Sequence, residues 1–518
     1  MEEQKPKRRG RGVKREGPVV ADAFNLGRAT GRVRAHQLND GQIAEFRARA
    51  LELLEDYGVV VIHPKAHAAL IKAGATVGSA ADRLKLPRGL VEEALRETPK
   101  EARLCGKAAG REIALPRSDG QFIMRTGTGA HGYVDPRDTK YRNTDMKAVR
   151  EMGAVAEGLN QVGFVAHPFV HGVPEVCADL HAFGEMVNRT TKHNWIQPYG
   201  KEAVEYLMRM AAVAAGGEAE LKANPVASCI TCSFTPLEFK YMDTECIIQA
   251  GKFGIPLHAC SLPSAGGSAP LTASGMVLMA AAEIVAMVVL AHVLAPGVPV
   301  IATPLMFTLD MATGSAMQSC PESIQMAAMA IQLMKEGFGL LAHTYGSGSD
   351  TPDGDRQSMA ERAMLGQQVA LAGADILGGV GQLETATVFS PVQAVLDDEI
   401  GSVIRKALTP PEVSADAMNF DEVMGVRVGG HFLESAQTLD LCREQHVPTV
   451  FLRQGRDDYE KSDRRTAFDV ARERALALID AAPEEGYLSE DQNREIADLV
   501  QAGEKVVLEA ASGSMDVI

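Results

Sequence analysis

Trp195, Phe307 and Tyr345 stand near the ends of separate β-rich runs, in a chain otherwise poor in rings (16 Phe, 9 Tyr and 1 Trp among 518 residues). Ring faces gathered at one rim attract a cation, although Trp195 alone could equally cap an apolar core. His343 lies two residues before Tyr345, so both project from one face of a strand. A histidine there either donates a hydrogen bond to a ligand or satisfies a buried carbonyl. The following Gly346-Ser-Gly-Ser-Asp350 lacks the Gly-Lys-Ser/Thr of a phosphate loop. It reads instead as a flexible rim loop suited to substrate contact.

Other constellations are weaker. His63 and His67, and His167 and His171, are each spaced i, i+4, but zinc catalysis wants a third ligand and a nearby base, and no HExxH is present. A metal-dependent hydrolase therefore stands as an alternative, and no metal is expected. Gly127–Gly132 matches GxGxxG, yet Tyr133-Val-Asp-Pro136 follows where a dinucleotide site needs a helix. Asp179-Leu-His181-Ala-Phe-Gly184 matches the DxHxxG of cobalamin-binding domains. Their later Ser-x-Leu and Gly-Gly are missing at the required spacing, and Val176, Leu180 and Phe183 share a helical face. Cys229 and Cys232 form one CxxC in an apolar run, where buried free thiols are common.

These residues need elements to position them. Short apolar runs recur at Gln121–Arg125, Val162–Val170, His193–Gln197, Val226–Phe234, Ile255–Leu262, Pro299–Phe307, Gly339–Tyr345 and Ala374–Gly381. Helical stretches such as Ala273–Leu294 and Arg356–Ala372 separate them. The alternation predicts an α/β fold, a parallel (β/α)8 TIM-type barrel with chemistry at the C-terminal strand ends. Around it we expect a disordered basic tail (1–16), a mainly helical N-terminal layer (17–120), the barrel (121–405) and a helical extension (406–518).

Composition bounds the function. The net charge of −15 argues against nucleic acid as a partner, despite seven Lys or Arg between Lys5 and Arg15. Met276–Ala295 is long enough to span a bilayer, but Glu283 in its interior favours a core helix and no membrane. Neither a signal peptide nor a cysteine framework is evident, which points to the cytoplasm.

Several stretches, in order, resemble the trimethylamine:corrinoid methyltransferase family. They are Tyr133–Pro136, Gly266–Pro270 with Ala282-Glu283, Ala295–Val300, Asp310–Gly314, Pro321-Glu322, Gly346–Asp350, Ala372–Ala374, Gly381–Glu384 and Val395–Ile400. The resemblance implies a β/α barrel that passes a methyl group from a methylated amine to the Co(I) corrinoid of a separate partner protein. It implies no cofactor resident on this chain. Trimethylamine enzymes of the family carry pyrrolysine near the loop that contains Ser347, Ser349 and Asp350. Only standard residues stand here, so the chain resembles the non-pyrrolysine branch, which acts on quaternary amines such as glycine betaine. The loop Asp350–Gln357 departs from the family's usual Asp-Ser-Lys run. On this reading Trp195, Phe307 and Tyr345, with Glu384, would surround the ammonium, and His343 would hold a substrate carboxylate. A homo-oligomer is expected, and a non-catalytic betaine-binding barrel is the remaining alternative. The identity of the catalytic residues stays open.

Overall fold

The computed structural model describes residues 31–80 and 83–515; the basic run Lys5–Arg15 lies outside them. Eight parallel strands close into a barrel: β1 Ile123–Thr126, β2 Val162–Ala166, β3 His193–Ile196, β4 Ala227–Cys232, β5 Leu257–Ser261, β6 Val300–Pro304, β7 Leu341–Tyr345 and β8 Ile376–Val380. Seven fall inside a run expected from sequence, and β1 overruns Gln121–Arg125 by one residue, Thr126. Buried on both faces, such strands are continuously apolar rather than alternating. The helices between them are α1 Met146–Gly158, α2 Ala178–Met186, α3 Val204–Ala215, α4 Tyr241–Phe253, α5 Ala273–Leu294, α6 Pro321–Gln332, α7 Arg356–Ala372 and α8 Pro391–Leu408.

Among the described residues α5 is the one helix long and apolar enough to cross a membrane. Here it is a core helix, packed on β5 and β6 beneath the N-terminal helices Asp40–Glu52 and Arg88–Glu97. Its Glu283 is fully buried and accepts four hydrogen bonds, from Ser233 Oγ (2.5 Å), Thr235 Oγ1 (2.9 Å), Leu237 N (2.8 Å) and Ser261 Oγ (2.6 Å). A buried carboxylate satisfied in this way fixes the turn after β4 against the end of β5.

One run divides. Pro299–Phe307 is not a single strand, because β6 ends at Pro304 and Phe307–Leu309 joins Ser264–Ala265 and Ala316–Met317 in a small sheet over the barrel mouth. At the other end of the chain, the helix Glu490–Met515 packs on α2 and α3.

Candidate active site

Three layers of inward side chains fill the barrel. At the floor, His193 Nδ1 faces two carbonyls, Cys105 O at 3.0 Å and Pro225 O at 3.1 Å, so that nitrogen carries the proton. Ser228 Oγ then donates to His193 Nε2 (2.9 Å) and accepts from His258 Nε2 (3.0 Å), leaving His258 Nδ1 bare and unpartnered. Burial pushes the His193 imidazole down to about 3, and burial with the Arg125 charge holds His258 well below the usual histidine range.

Arg125 dominates the middle layer. Its guanidinium is fully buried and lies over the Trp195 ring, 4.5 Å from the centroid. Nη1 donates to Thr126 O (2.7 Å) and Nε to His343 Nε2 (3.2 Å), while Nη2 has no partner. Since guanidinium can only donate, His343 must accept at Nε2 and carry its proton on Nδ1, which points at Thr303 Oγ1 3.4 Å away. Both ring nitrogens of His343 are thereby committed. The sequence reading gave His343 to a substrate carboxylate, whereas the geometry makes it the support of Arg125. Trp195 is stacked on Phe164 at 6.0 Å on one side and covered by Arg125 on the other. It sits below the mouth rather than beside the other two rings.

Phe307 and Tyr345 do meet, edge to face at 5.9 Å, on the lip and on β7. Gln382, from the turn after β8, bridges to Thr128 O (3.3 Å) and keeps a buried, unpaired Oε1. Gly379 makes that approach possible, because a Cβ there would come within 3.0 Å of Gln382 Oε1 and 3.2 Å of Tyr345. Across the axis Cys232 and Cys260 are register partners on β4 and β5. Contact with the Cys260 thiol, then burial, pushes the Cys232 thiol well up.

Glu384 is not brought to this group. It is exposed, in a turn where Glu384, Thr385 and Ala386 all hold left-handed backbone (φ 48°, 48° and 78°). The expected flexible loop is also corrected: Gly346–Asp350 is tied down. Gly346 N and Ser347 N donate to Gly378 O (2.9 and 3.1 Å), Ser319 Oγ to Gly348 O (2.9 Å) and Thr385 N to Ser349 O (3.0 Å). Asp350 accepts from Gln318 N (2.8 Å), Ser319 N (3.0 Å) and Thr385 Oγ1 (3.2 Å). Behind the loop, Arg362 donates to Ser347 O and pairs with Asp397 at 2.7 Å, both side chains fully buried. Ser347 and Ser349 are buried too, and Ser347 Oγ faces the interior unpaired.

Sequence reasoning missed Arg125 and Gln382. Arg125 had a signal, since a charged residue closing an otherwise apolar strand run must either face solvent or serve the barrel interior. Gln382 stood in the quoted stretch Gly381–Glu384 but was given no role.

The remaining motifs have structural occupations. His167 Nδ1 donates to Pro168 O (3.2 Å), Nε2 accepts from Gln197 N (3.3 Å), and burial pushes the ring down to about 4. His63 Nδ1 caps a helix by accepting from Lys65 N (3.2 Å). Among the described residues no three His, Cys, Asp or Glu side chains gather as a metal site would require. His181 contacts Glu504 of the C-terminal helix at 2.6 Å, outside the barrel. Gly132, the last glycine of GxGxxG, begins a strand that pairs with Tyr141–Asn143.

Against known proteins, a model of the trimethylamine methyltransferase (MTTB) family matches residues 6–506. The chain is 26% identical to the trimethylamine methyltransferase of Desulfitobacterium hafniense, covering 85% of this chain and 89% of that one. It is 28% identical to the Methanosarcina barkeri trimethylamine methyltransferase (83% and 87%). Identity to the glycine betaine methyltransferase of Desulfitobacterium hafniense is 24% (82% and 88%). Among solved structures, the monomethylamine methyltransferase of Methanosarcina barkeri shares the fold at a TM-score of 0.52, with 12% identity over 88% of this chain and 92% of that one.

Proposed function

The chain belongs to the trimethylamine methyltransferase family and is a methyltransferase; from that premise we propose that its methyl donor is a quaternary, betaine-like amine and its acceptor the Co(I) corrinoid of a partner protein. The observation that carries this reading is a mouth lined by the rings of Phe307 and Tyr345, which meet at 5.9 Å, above groups that burial holds uncharged. Burial pushes the Tyr345 phenol up to about 12. The Cys232 thiol is also raised, and burial with the Arg125 charge keeps His343 an uncharged imidazole. Loss of methyl from the free base trimethylamine would expel an amide anion, so that donor must carry its own proton or meet an electrophile. A quaternary nitrogen leaves as a neutral amine and needs neither. The corrinoid supplies the nucleophile, whose electron pair takes the methyl carbon while the C–N pair stays with nitrogen and cancels its charge.

This chain's own task is then to hold the donor, exclude water and aim a methyl group outward. Phe307 and Tyr345 offer ring faces to the ammonium, and the pinned loop Gly346–Asp350 walls the pocket. The lip carries exposed apolar side chains, Phe234, Leu271 and Met311, a face we assign to the partner protein. His181, engaged by Glu504, is not free to serve a cofactor, consistent with the corrinoid arriving on that partner. A stoichiometric red complex with hydroxocobalamin on gel filtration, lost in His181→Ala, would overturn this point.

We place the enzyme in the cytoplasm as a homo-oligomer. In support of the latter, Val413, Met418, Phe420, Met424, Val428 and Leu433 are all exposed in one segment. The helices Phe420–Gly425 and Ala436–Leu441 within it bury nothing of their own, as expected of an arm covered by a second copy.

The test mixes the protein with reduced free cobalamin and either glycine betaine or trimethylamine, and follows demethylated amine by NMR. Dimethylglycine should form in step with methylated cobalamin, and trimethylamine should give no product. Turnover of trimethylamine alone would refute the donor assignment. Tight betaine binding without any transfer would leave only a binding barrel.

A further inference from the structure

We infer that Arg125 is the receptor for an anionic group on the substrate, a carboxylate set one short spacer from the methylated nitrogen. The inference rests on the methyl-transfer reading above and sharpens it. Four observations lead here.

Arg125 is fully buried, yet among the described residues no Asp or Glu forms an ion pair with it, and its ionisable neighbours are Tyr345, Cys260, His258 and His343. A buried guanidinium without a counter-ion is costly and rarely kept without use. Burial lowers it only to about 10, so it stays a cation at neutral pH. Second, its Nη2 lacks any partner, although Nε and Nη1 are each satisfied. The open edge of the fork is the part a carboxylate would take.

Third, the backbone makes room for the guanidinium itself. A Cβ at Gly378 would stand 2.6 Å from Nη2 and 2.9 Å from His343 Nε2, so any side chain there would displace the guanidinium. His343 in turn fixes the fork through Nε, and the Trp195 face supports it from the side. His343 and Trp195 are therefore positioning residues for Arg125.

Fourth, the vertical order suits the reaction. Tyr345 is two residues nearer the mouth than His343, which is about 6–7 Å along a strand. A methyl group that must meet a partner protein has to lie uppermost, beside Tyr345 and Phe307. The other end of the donor then points down the axis to the Arg125 layer. A donor with a carboxylate fills both levels; choline, tetramethylammonium and trimethylamine fill only the upper one.

The experiment is calorimetric binding of glycine betaine, choline and tetramethylammonium to the wild-type protein and to Arg125→Met and Arg125→Lys. Wild type should prefer glycine betaine to choline by at least about tenfold. Arg125→Met should weaken glycine betaine on the order of a hundredfold, the size of a lost charge-assisted bond, and leave choline within about threefold. Arg125→Lys should recover part of the loss. Without ligand, Arg125→Met should melt no lower than wild type, since it deletes an uncompensated buried charge; a purely structural arginine would melt far lower. Equal wild-type affinity for glycine betaine and choline overturns the inference even if the variants fail to fold. So does an equal loss of both ligands in Arg125→Met. Failure of the methyl-transfer reading looks different: wild type would then bind betaine selectively and demethylate nothing.

Discussion

The two halves of the barrel mouth are built on opposite terms. On the β7–β8 side, the charged groups and the loop backbone are tied to other elements: Asp350 holds three donors, Arg362 and Asp397 pair out of solvent, and the loop after β7 hangs from Gly378 O. On the β4–β6 side, the lip leaves Phe234, Leu271 and Met311 exposed at 54%, 60% and 69%. A buried, pinned wall fixes a small molecule to a fraction of an ångström, whereas an open apolar lip accepts a macromolecule. On the proposed function, the pinned half would hold the substrate and the open half would meet the partner protein.

The harshest way to break that contrast is to cut the pinned half. Asp397→Asn strands Arg362 without its counter-charge and also weakens the hold on Gly381 N. It should cost about 3–5 kcal/mol in denaturant unfolding; a loss below about 1 kcal/mol would mean the wall is not pinned by this pair.

Acid sharpens the same contrast. His193 and His167, buried in the barrel, are pushed down to about 3 and about 4, against roughly 6.5 when unfolded. Below pH 6.5 the unfolded chain binds more protons, so their contribution is intact above that pH and is lost progressively toward pH 3–4. Each should cost about 2 kcal/mol by pH 5, and His193→Gln should flatten the fall in melting temperature between pH 7 and 5. An unchanged slope would contradict the buried, neutral assignment.

The rings come next. Tyr345→Leu should weaken glycine betaine about thirtyfold, the value of one desolvated cation–π contact of about 2 kcal/mol. Phe307→Leu should cost less, because that ring is half-buried, and Glu384→Gln nothing. Equal effects of Tyr345→Leu and Glu384→Gln by calorimetry would move the ammonium out of the mouth. The smallest effect belongs to the lip. Met311→Asp should slow methylation of a corrinoid protein about tenfold, yet leave transfer to free cobalamin unchanged. Equal slowing of both would remove the lip from partner docking.

Much of the scaffold was legible in the sequence because its signals are local. α7 spans Arg356–Ala372 as expected, since Asp355 caps its start and Gly373, in left-handed backbone, ends it. The barrel strands showed as short apolar runs bounded by turn residues. The site was legible only in part. Phe307 and Tyr345 meet, but Trp195 and His343 belong one layer lower, because alternation along a strand gives facing and not depth. The stiffness of Gly346–Asp350 was invisible, because its partners, Gly378, Ser319 and Thr385, come from other loops. Arg125 was passed over for the same reason: that it is cationic is local information, and that it lacks an acid is not.

The most direct measurement of the central claim is the pH profile of kcat for demethylation of glycine betaine, with reduced cobalamin as acceptor. If the axis groups move no proton, kcat should be flat between about pH 6 and 9, because Tyr345 is pushed up to about 12 and burial holds His343 neutral. A bell, or a tenfold step within that range, would show a proton transfer at the mouth and contradict the account.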